Sequence, residues 1–278
     1  VTDPRDQYLQ AFHARHPGAT ADVFERGVTG DGTTSYELLA DLVQPGQRVL
    51  DLGCGDGPLL ALLRRRGHPA AALVGVDASA AELDRARRRP EIDGVDLRCE
   101  RGERTSLAAS SVDVVASHLA FMLFSEPHQT LDEVARVLRP GGVFATVVGG
   151  GPVEPVPGAG AEPPDALALF AHLARDDFAA LKDPPPRLGD PRCRTAAGLQ
   201  ELLPPSFCSG VSERRVELVC DGTFDQVWYA VSMTYEAASL AAQRLGELQQ
   251  AVARRAAQNN DGSYRCRLVV RLLVANRA

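Results

Sequence analysis

The chain has no apolar run approaching the ~20 residues that a bilayer-spanning helix needs, and no apolar leader resembling a signal peptide. Both absences predict a cytoplasmic protein with no membrane partner. The six cysteines (54, 99, 193, 208, 220 and 266) form no C-x-x-C pair and no metal-ligand spacing, which predicts reduced thiols and no metal site. Positive charge is not in excess: the net charge is −6 and the pI about 5.6, which argues against a broad electrostatic grip on nucleic acid. Lysine is scarce beside arginine, alanine and proline, a pattern of high-GC codons that carries no functional message. No internal repeat is visible. At 278 residues the chain suits one large domain with elaborations.

What is present is concentrated in Val49-Leu50-Asp51-Leu52-Gly53-Cys54-Gly55-Asp56-Gly57-Pro58. A short apolar strand runs into an acidic, glycine-rich turn and then a helix over residues 59–66, ended by Gly67. Pro58 suits a first helical turn, where a missing N–H costs nothing. Such a turn lets a nucleotide-like ligand lie against bare backbone at a strand's carboxyl end. The spacing is G-x-G-x-G, not the G-x-G-x-x-G of dinucleotide folds, and no G-x-x-x-x-G-K-S/T phosphate loop exists. Asp51 puts negative charge close to the ligand, which suits a cation and opposes a pyrophosphate. A second apolar run, residues 71–76, ends in Asp77, placed to accept hydrogen bonds from ribose hydroxyls.

The run D-L-G-C-G-D-G resembles motif I of the class I S-adenosylmethionine-dependent methyltransferases, whose cofactor carries an ammonium and a sulfonium. The segment L-D-E-V-A-R-V-L-R-P-G-G-V-F-A-T-V-V around Arg139-Pro140-Gly141-Gly142 resembles the post-catalytic segment of the same family. Together the matching stretches span roughly residues 40–150. The resemblance implies an α/β, Rossmann-like open sheet of about seven strands, mostly parallel, with helices on both faces and helical lid elements. The last strand is expected to insert antiparallel beside the fifth. It implies S-adenosylmethionine as cofactor, leaving as S-adenosylhomocysteine, against Asp51, Gly53, Cys54, Gly55, Gly57, Asp77, Ala78, Gly102, Glu103 and Ser117.

Strands are expected at residues 95–100, 112–117, 143–148, 213–220 and 264–274, the last after the turn signal Asn259-Asn260-Asp261-Gly262. Ser79 with Glu82, and Thr130 with Glu133, read as capping boxes. The arginines at 64–66 and 85–89 read as helix C-terminal charges. Residues 224–257 read as one or two helices with a break near Gly246. The expected organisation is an N-terminal helical lid over 1–40 and a cofactor-binding core over 41–150. An inserted substrate lid over 151–195 follows, entered through a Gly/Pro-rich linker and stopped at Asp183-Pro184. Residues 196–278 complete the sheet.

Methyl transfer from a sulfonium needs a general base only when the acceptor holds its proton tightly. His118, just past the fourth strand, is the expected base; His13, His16 and His128 are weaker candidates, His172 is a lid residue and His68 a solvated one. Tyr8, Phe12, Phe121 and Met122 are expected at the acceptor, with one of Trp228, Tyr229 and Tyr235 reaching the pocket. No Asn-Pro-Pro-Tyr follows the fourth strand, which again disfavours nucleic acid. The implied activity is methylation of a small organic acceptor by a monomer or homodimer, with O-, N- and C-methylation open. The alternative is a non-methylating cyclisation or rearrangement on the same fold.

Overall fold

The computed structural model describes residues 3–151, 165–182, 184–208, 210–256, 258 and 261–278. One sheet contains β1 (Val49–Leu52), β2 (Leu73–Asp77), β3 (Asp96–Cys99), β4 (Val112–His118), β5 (Leu138–Gly149), β6 (Ser212–Gly222) and β7 (Tyr264–Asn276). Its order is β3-β2-β1-β4-β5-β7-β6. The first five strands pair in parallel, and β7 inserts antiparallel between β5 and β6. The expected Rossmann-like sheet is therefore the one observed. Strand order reverses between β1 and β4, and ligands of open α/β sheets bind at the carboxyl ends beside such a reversal.

The helices are α1 (Pro4–Arg15), α2 (Ala19–Phe24), α3 (Ser35–Ala40), α4 (Pro58–Arg65), α5 (Ala80–Ala86) and α6 (Pro127–Val137). They continue with α7 (Ala166–Leu173), α8 (Arg175–Ala179), α9 (Ala196–Leu202), α10 (Phe224–Ser232) and α11 (Ala242–Arg255). Because strand side chains alternate between faces, Val49, Leu73, Val114 and Ala145 pack with α3, α4 and α5. Leu50, Val74, Val115 and Phe144 pack with α6 and α9 on the other face. Such double-sided burial is why these strands read as continuous apolar runs. A third cluster joins α7, α10 and α11 to the β6–β7 end.

Several local expectations yield to tertiary partners. Ser79 accepts the Glu82 N–H at 3.4 Å, but the Glu82 carboxylate does not return to complete a box; it is taken by His13 and Gly18. Thr130 caps nothing: α6 starts at Pro127, and Glu133 instead accepts from Thr105 and Arg136. Gly246 lies inside α11, and the helical break falls between Ser232 and Ala242. His68 is buried, because α4 stops and folds it under. The linker over 152–164, Asp183 and the Asn259-Asn260 turn signal lie outside the described residues.

Candidate functional site

The glycine turn leaves β1 and closes directly on β2: the Gly53 and Cys54 N–H groups both donate to the Val76 carbonyl, at 2.8 and 3.0 Å. Gly53 adopts a left-handed φ of +74°, and a Cβ there would collide with Ala120. Gly57 caps α4 at φ +83°, where a Cβ would lie 2.8 Å from Ile92. Asp77 ties the turn to the next helix, one carboxylate oxygen accepting from Gly55 N–H and the other from Ser79 N–H, each at 2.8 Å. The ribose-accepting oxygens expected from the sequence thus also hold the turn in shape.

Asp56 fixes the turn through two arginines. Only 2 % exposed, it is gripped by Arg85 at 2.9 Å and Arg89 at 2.7 Å. Arg85 continues to Asp22 of α2 at 2.7 Å and to the Pro17 carbonyl at 3.1 Å. These two arginines are therefore not simple helix-terminal charges: they clasp the turn to the N-terminal helices.

Two adjoining hollows sit above the turn. The outer one is bordered by Asp77, Ala78, Glu100, Gly102, Glu103 and Phe124, with Asp6, Leu9, Gln10 and His13 contributed by α1. Gly102 matters sterically, since a Cβ there would lie 2.5 Å from the Phe124 ring. Glu103 borders this hollow while paired to Arg101 at 3.0 Å. The inner hollow is bordered by Asp51, Gly53, Cys54, Gly55, Asp77, Tyr36, His118 and Tyr235. Ser117, expected at the cofactor, is fully buried and borders neither hollow; it accepts the Phe121 N–H at 3.1 Å.

Asp51 is the polar oddity of the inner hollow. It is 2 % exposed, and its Oδ1 has no hydrogen-bond partner. Burial, and then the charge of Asp77, push its carboxyl up to about 8. A buried acidic group with an unpartnered oxygen at the border of a hollow suits a cationic group, which favours its ionised form, and an ammonium or sulfonium supplies one. These residues fit the cofactor that the sequence implies.

His118 borders the inner hollow, but the ring is enclosed. Tyr36 stacks on it at 3.8 Å between centroids, Phe24 meets it edge-on, and Ser35 Oγ bonds its Nε2 at 2.8 Å. Burial lowers its pKa to about 3, so the imidazole is neutral near pH 7. Its Nδ1 has no partner.

A third cavity, of about 690 Å³, opens beside the inner hollow and shares Thr20, Leu119, Leu123 and Tyr235 with it. Its walls are chiefly apolar, from Phe12, Val23, Phe24, Met122, Leu167 and Val269 among others, with His172 and Arg175 also on the lining. Such a cavity accommodates a drug-sized ligand. Leu119, on the shared wall, holds a φ of +54°, uncommon for a branched residue.

Of the acceptor residues expected from sequence, Phe12 and Met122 reach this cavity. Phe121 is fully buried in the core against Phe144, and the Tyr8 hydroxyl donates to the Tyr235 carbonyl at 3.1 Å. Among the three aromatics named together, Tyr235 reaches the hollows, Trp228 packs between Phe170 and Phe224, and the Tyr229 hydroxyl donates to Asp22. Sequence reasoning missed Asp6, Leu9, Gln10 and Glu100, which carry no local motif. Among the described residues no group of His, Cys, Asp and Glu could hold a metal ion. No described helix is long and apolar enough to cross a membrane.

Comparison with known proteins bears on the same stretch. The family described as "Methyltransferase domain" matches residues 50–146. A carboxy-S-adenosyl-L-methionine synthase of Trichodesmium erythraeum is 36 % identical over 105 residues, 36 % of this chain and 42 % of that protein. A malonyl-[acyl-carrier protein] O-methyltransferase of Methylococcus capsulatus is 37 % identical over 102 residues, 36 % of this chain and 37 % of that protein. The chain thus spans about two fifths of these curated relatives' length. The YcgJ protein of Bacillus subtilis shares the fold, with a TM-score of 0.53 at 18 % identity over 87 % of this chain and 97 % of that one. Residues 50–146 thus match a methyltransferase domain, and the glycine turn and sheet order agree with the fold of the class I S-adenosylmethionine-dependent methyltransferases.

Proposed function

We propose that the two hollows above the glycine turn bind S-adenosylmethionine and that its methyl group is transferred to a small organic acceptor in the apolar cavity. The observation that carries this reading is the shared wall: Thr20, Leu119, Leu123 and Tyr235 border both the inner hollow and the cavity. A methyl group leaving the inner hollow meets the acceptor there without crossing water.

In this reading Asp77 takes the ribose hydroxyls, Gly102, Glu103 and Ala78 border the adenosine end, and Asp51 neutralises the cationic end. Gly53, Cys54 and Gly55 bring the backbone close, while Gly57 starts α4 behind them and Ser117 holds the Phe121 backbone. The cofactor supplies an activated methyl and a neutral leaving thioether; the protein positions the acceptor and excludes water. His118, enclosed and held neutral, is supported more as a wall of the inner hollow than as a proton acceptor.

Residues 1–40 act as an N-terminal lid, since α1 borders the outer hollow and α2 the cavity. Residues 165–175 cover the cavity through α7, the described part of the inserted lid. The protein is assigned to the cytoplasm, with small molecules and not nucleic acid as its partners.

Calorimetric titration with S-adenosylhomocysteine tests the cofactor half; no binding would sink the reading. Isotope-labelled S-adenosylmethionine with a panel of acceptors tests the rest. Tight cofactor binding without transfer across that panel would favour a non-methylating reaction instead.

A further inference from the structure

His13 and Tyr235 lie 222 residues apart in sequence, yet the Tyr235 hydroxyl stands 3.3 Å from His13 Nε2. The other ring nitrogen, Nδ1, faces Glu82 Oε1 at 2.9 Å. Glu82 is 4 % exposed and is held from its second oxygen by the Gly18 N–H at 2.9 Å. A carboxylate only accepts hydrogen bonds, so in the neutral imidazole Nδ1 carries the ring proton and Nε2 is left as the acceptor. The Tyr235 hydroxyl therefore donates to His13, leaving its oxygen lone pairs free to accept. Tyr235 is also one of the residues that the inner hollow and the apolar cavity share.

We propose that the methyl acceptor is a hydroxyl group, on an alcohol or phenol of largely apolar character, and that it loses its proton through Tyr235 to His13. This rests on the methyl-transfer reading above. The acceptor O–H donates to the Tyr235 oxygen as Tyr235 passes its own proton to His13 Nε2. The acceptor oxygen forms its bond to the methyl carbon while the carbon–sulfur bond breaks toward sulfur. A sulfonium, a neutral hydroxyl and a neutral imidazole become a thioether, a methyl ether and an imidazolium beside Glu82. Atoms and charge balance with no further reactant.

Three observations favour this arrangement over a simple lid tether. Burial raises the Tyr235 phenol well above its ordinary range, so it stays protonated and able to relay. The walls are mostly apolar, which suits a neutral hydroxyl better than an ammonium or carboxylate that must shed its hydration. The other imidazole bordering the inner hollow, His118, has its Nε2 engaged by Ser35. The charged and titratable groups around the relay are Glu82 and Asp77 toward His13, and Tyr8, Glu236 and Arg194 toward Tyr235. Tyr235 touches the acceptor; His13 and Glu82 act through it.

The test uses the full chain, saturating S-adenosylmethionine, and two probes: 4-methylumbelliferone, which has the hydroxyl, and its 7-amino counterpart. Expected for the wild type is the methyl ether of the first and no methylation of the second. Tyr235→Phe and His13→Gln should each lower kcat by about 100-fold, the usual scale of acid–base help. In both variants the remaining rate should rise tenfold per pH unit up to the probe's own pKa, because only pre-ionised phenol reacts; the wild-type profile should be flatter. A purely structural role would lower the rate without changing that slope. Calorimetry with S-adenosylhomocysteine runs alongside and confirms that each variant is folded. Cofactor-loaded wild type that methylates the amine, methylates neither probe, or shows the variants' pH slope overturns the proposal alone. Absence of cofactor binding by the wild type overturns the methyl-transfer reading beneath it.

Discussion

Asp51, one residue before the end of β1, and Asp77, the last residue of the neighbouring parallel β2, both border the inner hollow, where the charge of Asp77 adds to burial in raising Asp51 to about 8. In the free protein near pH 7, Asp51 is therefore mostly protonated. A bound cation lowers its pKa, so binding must release a proton. Affinity for S-adenosylmethionine should rise about tenfold per unit from pH 6 to 8 and level off above, as linkage requires for one released proton. Calorimetry in buffers of different ionisation enthalpy should read close to one proton released at pH 6.5.

The same burial makes Asp51 costly to the fold. Its folded pKa is raised above the ordinary aspartate value of 3.8, so its contribution to stability is full below pH ~4 and is lost as pH rises through ~8. Asp51→Asn should raise the melting temperature of the ligand-free protein most at pH 8 to 9. It should also weaken cofactor binding roughly 10- to 100-fold, the scale of a hydrogen bond to a charged group. Paired melting and calorimetric measurements check both halves; loss of stability at pH 9 would contradict the argument.

His118 makes the opposite contribution. Its pKa is depressed by burial from 6.5 to about 3, so the stability it confers is present above pH 6.5 and is lost as pH falls toward 3. The loss should approach about 1.4 kcal/mol per pH unit in that window. Urea midpoints at pH 7, 6, 5 and 4 measure it, and His118→Gln should flatten the trend.

Phe121 and Met122 are adjacent in sequence and divided in space. Phe121 is fully buried in the core, whereas Met122 borders the apolar cavity, with its sulfur 2.9 Å from an Arg194 guanidinium nitrogen. Phe121→Ala should cost about 3–5 kcal/mol of stability. Met122→Ala should cost less and show itself in the acceptor's KM. Equal losses of stability would mean that the cavity wall is part of the core.

Arg85→Ala should loosen the N-terminal helices, since it removes links to Asp22, Asp56 and the Pro17 carbonyl together. Limited proteolysis should cut within residues 15–35 faster than in wild type, while S-adenosylhomocysteine restores protection by occupying the hollow that α1 covers.

How far the sequence could be read follows from where each partner lies. The glycine turn was legible because Gly53, Gly57 and Pro58 respond to backbone geometry a few residues long. Strands β1, β2, β4 and the second half of β5 were legible because they are buried on both faces. Side chains whose partners lie far away were not. Glu82 follows Ser79 at capping-box spacing, yet His13, 69 positions earlier, takes its carboxylate. Arg85 and Arg89 look like helix-terminal charges until Asp56 is seen buried between them. Phe121 and Met122 offer one local pattern and go to two destinations, because the 3₁₀ turn over Phe121–Leu123 sends them to different sides.

The walls of the two hollows come from both extremes of the chain: Asp6, Leu9, Gln10 and His13 near the start, and Tyr235 far beyond the matched segment. Residues 50–146, which disclose the ancestry, therefore amount to half a vessel. Excised by itself, that segment would keep the parallel strands and the glycine turn but lose β6 and β7 and leave any nucleoside lying open to solvent. What marks the lineage and what could sustain the chemistry are different lengths of the same polypeptide, and divergence in the outer pieces is free to change the acceptor without disturbing the part that names the family.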